Sequence, residues 1–211
     1  MKAGVALSAL TLLISLSAAS AATNEAEEIV RTASSQVIDK LAEEKENLNA
    51  HPEKLYELIQ EMVVPHFDFP IMSRWVLGKA WNTIDAGSQA QFIDQFRTML
   101  VRTYAKALME YSDETIEFLP MESDPNSNLV VVKSQVVGKG SGNPIPINYR
   151  MHVSGGDWKV IDISVDGVSL IGTYRGSFAS EIRKNGIDSL ILKLTERNAK
   201  LLEGTGTEQS L

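Results

Sequence analysis

The chain has 211 residues, 20 Lys and Arg against 27 Asp and Glu, a formal net charge of -7 and no cysteine. That balance argues against nucleic acid, whose phosphates call for a basic stripe, and against lasting residence on an anionic membrane surface. The absent thiols exclude disulfide support and cysteine catalysis, and the length suits one domain with a core large enough to stand without covalent staples.

Lys2 and the apolar run over residues 5–16 read as the start of a secretory leader. The run is shorter than the roughly 20 residues a membrane span needs. Ala19, Ser20, Ala21 and Ala22 offer the small residues a signal peptidase requires, and the acidic stretch Glu25, Glu27, Glu28 that follows contains no basic stop signal. Residues 1–22 are therefore expected to be cleaved, leaving a soluble exported chain without a lipid anchor on cysteine.

Residues 24–48 predict a first helix, with Ile29, Ala33, Val37, Leu41 and Leu48 near helical spacing and Val30 and Ile38 widening the stripe. Pro52 opens a second helix that Pro65 closes, and Pro70 opens a short third one ending at Gly78. The longest helix is expected over residues 88–111. Phe92, Phe96, Leu100, Tyr104, Leu108 and Tyr111 lie on its apolar face, and Arg97, Arg102, Lys106 and Glu110 on its outer one. The period then shortens to two, predicting four strands in meander order at residues 115–119, 129–137, 145–153 and 158–165. In the last strand, strict alternation sets Ile161, Ile163 and Val165 against Trp158, Val160, Asp162 and Ser164. Two helices, 170–184 and 188–202, flank Asn185-Gly186, and residues 204–211 form a polar tail expected to be disordered. The fold class is α+β, a single domain over residues 23–203.

Chemical motifs are sparse. His51, His66 and His152 form no helical metal pair. His66-Phe67-Asp68 reads as a helix junction with a capping or core role. Gly138-Lys139-Gly140-Ser141-Gly142 is followed by prolines and a strand, so it is a hairpin loop and not a phosphate cradle. The best enzyme hypothesis places Asp162 or Asp166 as a general base in a small α+β cavity, against the simpler reading of these acids as turn residues and caps.

The stretch Asp157-Trp158-Lys159-Val160-Ile161-Asp162-Ile163-Ser164-Val165-Asp166-Gly167-Val168-Ser169-Leu170-Ile171, followed by Tyr174-Arg175 and Phe178, resembles the signature of the MlaC family, also called the toluene tolerance family. Val63 to Phe69, Leu77 to Trp81, Gln91 to Arg97 and Gly186 to Leu190 extend the resemblance over nearly all of the mature chain. The resemblance implies an NTF2-like curved antiparallel sheet packed against N-terminal and C-terminal helices. It implies a periplasmic, monomeric phospholipid carrier rather than an enzyme, with bound phospholipid as cargo and no cofactor or metal. The implied partners are an outer-membrane lipoprotein–porin complex and an inner-membrane ABC transporter with an MCE-domain protein. The runner-up is an NTF2-like periplasmic enzyme acting on a hydrophobic small molecule. Acyl chains are expected between sheet and helices, against Trp75, Val76, Leu100, Tyr104, Tyr149, Met151, Ile163, Val168, Ile171 and Phe178.

The leader can be tested directly. Intact mass of the protein released from the periplasm is expected to correspond to a chain beginning at Ala22 or Thr23. A mass that still includes residues 1–16 rules out a freely diffusing product.

Overall fold

The computed structural model describes residues 14–110, 114–121, 128–138 and 142–202, with side chains from residue 25 onward. Most of the expected leader, the expected polar tail, Tyr111 and the loop positions 124–127 and 139–141 lie outside the described residues. Among the described residues six α-helices run in chain order: α1 Ile14–Glu43, α2 Lys45–Ala50, α3 Pro52–Met62, α4 Phe69–Leu77, α5 Ala86–Glu110 and α6 Leu170–Leu202. Five strands lie between α5 and α6: β1 Thr115–Phe118, β2 Leu129–Val137, β3 Ile145–Ser154, β4 Asp157–Val165 and β5 Val168–Ser169. They form one open antiparallel sheet in the order β1-β2-β3-β4-β5. This is the expected α+β arrangement with one strand more, since β5 is too short to show a period.

Two features depart from the sequence expectation in useful ways. The first helix starts before residue 24 and stops at Glu43, and Leu48 belongs to α2. Its buried stripe is Ala26, Val30, Val37 and Leu41, with Ile29 alongside. The second departure is in β4. Arg150 pairs with Asp162 and Met151 pairs with Val160, so Ile161 has no partner and forms a β-bulge. Strict alternation therefore fails: Trp158, Val160 and Ile163 meet in one cluster, and Asp162 shares the opposite face with Arg150.

The apolar residues pack into three groups. A helical core joins α4, α5 and α6 through Met72, Val76, Phe92, Phe96, Phe178 and Leu194, all essentially inaccessible. Within it Phe92 stacks on Phe96, and these two rings meet Tyr174 and Phe178 mainly edge to face, with ring centroids 5.5–6.1 Å apart. A second group fastens α1 and α2 to α3 and α5 through Val37, Leu41, Leu48, Leu55, Ile59 and Val101. The third lies between α1 and the sheet. Helix starts are capped by acids in the expected way: the Asp85 carboxylate accepts from the Gly87 and Ser88 amides ahead of α5, and Asp68 accepts from Ile71 N at 3.0 Å ahead of α4.

Helix α6 breaks at Gly186, where φ is 83° and ψ 173°. Glu181 clamps the break by accepting from Asn185 Nδ2, Ser189 Oγ and Lys193 Nζ at 2.7–2.9 Å. These bonds, Lys193 first, hold its carboxyl at about 2. A Cβ at Gly186 would meet nothing within 4 Å, so the penalty for Gly186→Ala is backbone strain alone. It is expected to lower unfolding stability by about 1–3 kcal/mol, read from the urea midpoint. An unchanged midpoint would show that the break relaxes freely.

Candidate functional site

The sheet presents one apolar face. On β2 the inward row is Val130, Val132, Ser134 and Val136, none more than 7 % exposed. Val132 lies opposite Tyr149 on β3, and Val130 opposite Met151. Tyr149 lies opposite Ile163 on β4 and Met151 opposite Val160, the bulge keeping both β4 side chains on this face. Helix α1 covers the face with Ala26, Ile29 and Val30, while Phe67, Phe118 and Met121 close its sides. Phe67 also touches the helical core and stacks on Phe69 at 5.8 Å, so it bridges sheet and helices.

Polar groups inside this region are hydroxyls. Ser134 Oγ donates to the Ile147 carbonyl at 3.0 Å. The Tyr149 phenol is flanked by Ser34 on α1 and by Ser134. Burial pushes the Tyr149 phenol up, against the opposing pull of these two serines, so it stays protonated.

The helical layer is moored to the edge of this face by residues 65–68. Phe67 bridges to Val160, Asp68 N donates to Val160 O at 2.9 Å, and Lys159 Nζ donates to Pro65 O at 2.8 Å. Asp68 also receives His152 Nε2 of β3 at 2.9 Å. Burial opposes ionisation of Asp68, but the Ile71 amide, the Ser154 hydroxyl and His152 together outweigh it and hold the carboxyl below its usual range. Burial, with Lys159 nearby, lowers the His66 imidazole. The His66-Phe67-Asp68 segment is thus a junction and cap, as its sequence suggested, with a histidine partner 84 residues away that no local pattern reveals.

Asp162 has a structural occupation. Its carboxylate accepts from Ser169 Oγ at 2.6 Å and from the Ile171 amide at 3.1 Å, and Ser169 Oγ in turn accepts from Gly172 N at 3.0 Å. The acid and the serine together cap α6. Asp166 sits in the β4–β5 turn with φ 50° and donates its amide to Pro146 O. Among the described residues no group of three metal-ligating side chains comes together. A cleft of about 320 Å3 between α3 and α5 is lined by Tyr56, Val101 and Arg102 but also by Glu57 and Glu61, a poor surface for hydrocarbon. Arg102, expected on an outer face, donates to Asn198 O of α6 and is partly buried.

The ten residues expected to meet a ligand divide between two clusters. Tyr149, Met151 and Ile163 stand together on the sheet face beneath α1. Val76, Leu100, Ile171 and Phe178 are buried in the helical core, with Trp75 and Tyr104 packed on it in part. Arg150 lies over the Trp75 ring at 5.9 Å. Val168, the first residue of β5, is 64 % exposed. Sequence reasoning missed Val130, Val132, Phe67, Trp158 and Val160 as wall residues. The valine row of β2 was available as a signal, whereas the bulge that turns Trp158 and Val160 inward was not.

Fold and site define a small α+β domain with an apolar sheet face roofed by helices. The same architecture occurs in a solved phospholipid-binding protein of Ralstonia solanacearum in complex with a phospholipid, which aligns with a TM-score of 0.77 and 31% identity over 84% of this chain and 99% of that one. In sequence the chain is 25% identical over 180 residues to the toluene tolerance protein ttg2D of Pseudomonas putida, covering 85% of this chain and 83% of the relative. It is 21% identical over 170 residues to the intermembrane phospholipid transport system binding protein MlaC of Haemophilus influenzae, covering 80% and 79%. The family described as MlaC protein matches residues 31–196, and the chain belongs to that family.

Asp68→Ala removes a helix cap and strands His152, so it is expected to cost about 1–2 kcal/mol at neutral pH. Because the folded carboxyl titrates below its unfolded value, its contribution is complete above the ordinary carboxylate pKa and fades as pH falls through the folded one. Urea melts of both proteins should therefore converge in acid. A gap that persists or widens there would contradict the ionised-cap reading.

Proposed function

We propose that this protein is a periplasmic phospholipid carrier that moves glycerophospholipid between an outer-membrane lipoprotein–porin complex and an inner-membrane ABC transporter bearing an MCE-domain protein. The observation that carries the reading is the continuous apolar face of β2, β3 and β4 beneath α1, in a fold whose solved relative is described in complex with a phospholipid. The leader expected over residues 1–22 fits a chain working between two membranes.

A buried methylene is worth about 0.8 kcal/mol, so one acyl chain of ordinary length resists transfer to water by on the order of 10 kcal/mol. A carrier must cover that hydrocarbon and still give it up. Tyr149, Met151 and Ile163 form the floor of the pocket. Trp75, Val76, Leu100, Tyr104, Ile171 and Phe178 belong to the helical core, which meets the opposite face of the sheet at Arg150 and Asp162, and Val168 is exposed at the start of β5. The headgroup faces solvent, which needs no cluster of charged residues. Release comes from a partner that binds the open state better than the closed one.

Ile163→Glu sets a carboxylate against hydrocarbon, a burial that costs several kcal/mol unless the group protonates. Protein purified from a bacterial periplasm and weighed by native mass spectrometry should carry phospholipid in the wild type. At least about tenfold less is expected in this variant. Leu192→Glu, at a position 58 % exposed on α6, should keep its lipid. Equal occupancy in both folded variants would remove the sheet face as the binding surface.

A further inference from the structure

Many cations on this acidic chain are matched. Arg31, Lys40, Arg97 and Lys193 each meet a carboxylate, and Arg102 and Lys159 each meet a backbone carbonyl. Arg74, Lys79, Arg150 and Arg175 differ. All four are exposed, and among the described residues none of their side chains forms a hydrogen bond or an ion pair.

The four also stand together. Arg150 of β3 lies over the Trp75 ring at 5.9 Å. Trp75 follows Arg74 on α4, and the amide of Gly78, which ends that helix, donates to Arg74 O. Arg175 of α6 brings Nη2 to 3.3 Å from where a Cβ on Gly78 would stand, and Lys79 is the next residue. The sheet side agrees. Asp162, opposite Arg150 on β4, holds the amide of Ile171, one turn before Arg175 on α6. Two routes through the fold thus bring α4, β3 and α6 to one basic surface.

Neighbouring like charges repel, and little at hand offsets four of them. Asp162 is buried, with its carboxylate engaged by Ser169 Oγ and the Ile171 amide. The carbonyl end of α4 contributes a partial negative charge of about half a unit. The surface is left with cations that nothing within the fold uses.

We propose that this face docks the protein briefly on the phosphates of an anionic phospholipid bilayer. A guanidinium fork matches phosphate oxygens in pairs. The four charges surround no exposed apolar centre, since Trp75 is partly buried beneath Arg150. A protein interface is built around such a centre, whereas a bilayer offers each cation a phosphate of its own. The rest of a chain with a formal net charge of -7 is repelled by the same bilayer, so contact is confined to this face and short-lived. Successive side chains of a strand point to opposite sides, so Tyr149 and Arg150 stand on opposite faces of β3. Docking therefore leaves the apolar floor beneath α1 turned away from the bilayer. The surface goes beyond lipid carriage and does not depend on it.

The test uses the full chain, expressed in a bacterium and purified from the periplasm, sedimented with vesicles of phosphatidylglycerol or of phosphatidylcholine at low ionic strength. Sedimentation reads protein on the vesicle, whatever cargo the protein holds. Wild type is expected to sediment with phosphatidylglycerol and not with phosphatidylcholine, and to be released as salt is raised. Arg150→Gln and Arg175→Gln should each weaken binding about fivefold, and the double variant about 25-fold. Lys106→Gln, at an exposed position on α5, should match wild type. Equal binding to both lipids overturns the proposal, as does binding undiminished in the double variant. Wild type that ignores both vesicles also overturns it, and leaves an acidic protein surface as the partner for these cations. If the double variant does not fold, the two single variants decide by the same criterion.

Discussion

A single extra residue in β4 sets the geometry of both faces of the sheet. Because Ile161 has no partner on β3, the alternation of side chains slips between Val160 and Asp162. Before the slip Trp158 and Val160 point toward α1, and after it Ile163 does the same, so the apolar floor crosses β4 without interruption. The slip also delivers Asp162 to the far face, where Ser169 Oγ and the Ile171 amide meet its carboxylate. With strict alternation the strand would place either Val160 or Ile163 on the wrong side, because the period of a strand is two and admits no compromise.

The two sides of the site differ in how firmly they are packed. The helical side is a dense block in which Phe92, Phe96 and Phe178 lose all contact with solvent, and overpacking or hollowing such a block is costly. The sheet side is looser at its margins, where Tyr149, Ile163, Phe67 and Met121 are only partly covered. Local opening is least costly on the side with fewer buried contacts. The moorings at Pro65, Phe67 and Asp68 keep that opening from separating sheet and helices altogether.

Much of this plan could be read along the chain. The i, i+4 run from Phe92 to Tyr104 marked α5, the prolines bracketed α3 and opened α4, β-branched residues marked β2, and alternation marked β3 and β4. Each of these is a local, repeated pattern. The bulge at Ile161 is legible only from the partner strand, since nothing within Val160-Ile161-Asp162 distinguishes it from regular β. The same slip explains why Ile163 was expected on the sheet wall yet its companions Trp158 and Val160 were not. The division of the ten expected ligand contacts into two clusters has a similar origin. Helical spacing shows that Val76 and Phe178 are buried, but not which neighbour buries them. Val168 belonged to a specific stretch of sequence, and specificity of sequence says nothing about the side on which a turn residue stands.

The joints that hold the layers differ in span. The Asp162–Ile171 contact closes across nine residues, whereas His152 reaches Asp68 across 84. The entropy of closing a loop grows with its length, so the first joint is available to a chain that is still largely open and the second is not. The bulged strand and the start of α6 therefore make a natural folding nucleus, assembled from the C-terminal part of the chain. The attachment of the early helices to the sheet is a late event. The helices that lead the sequence must therefore wait for β4 and α6 before the layers can close on one another.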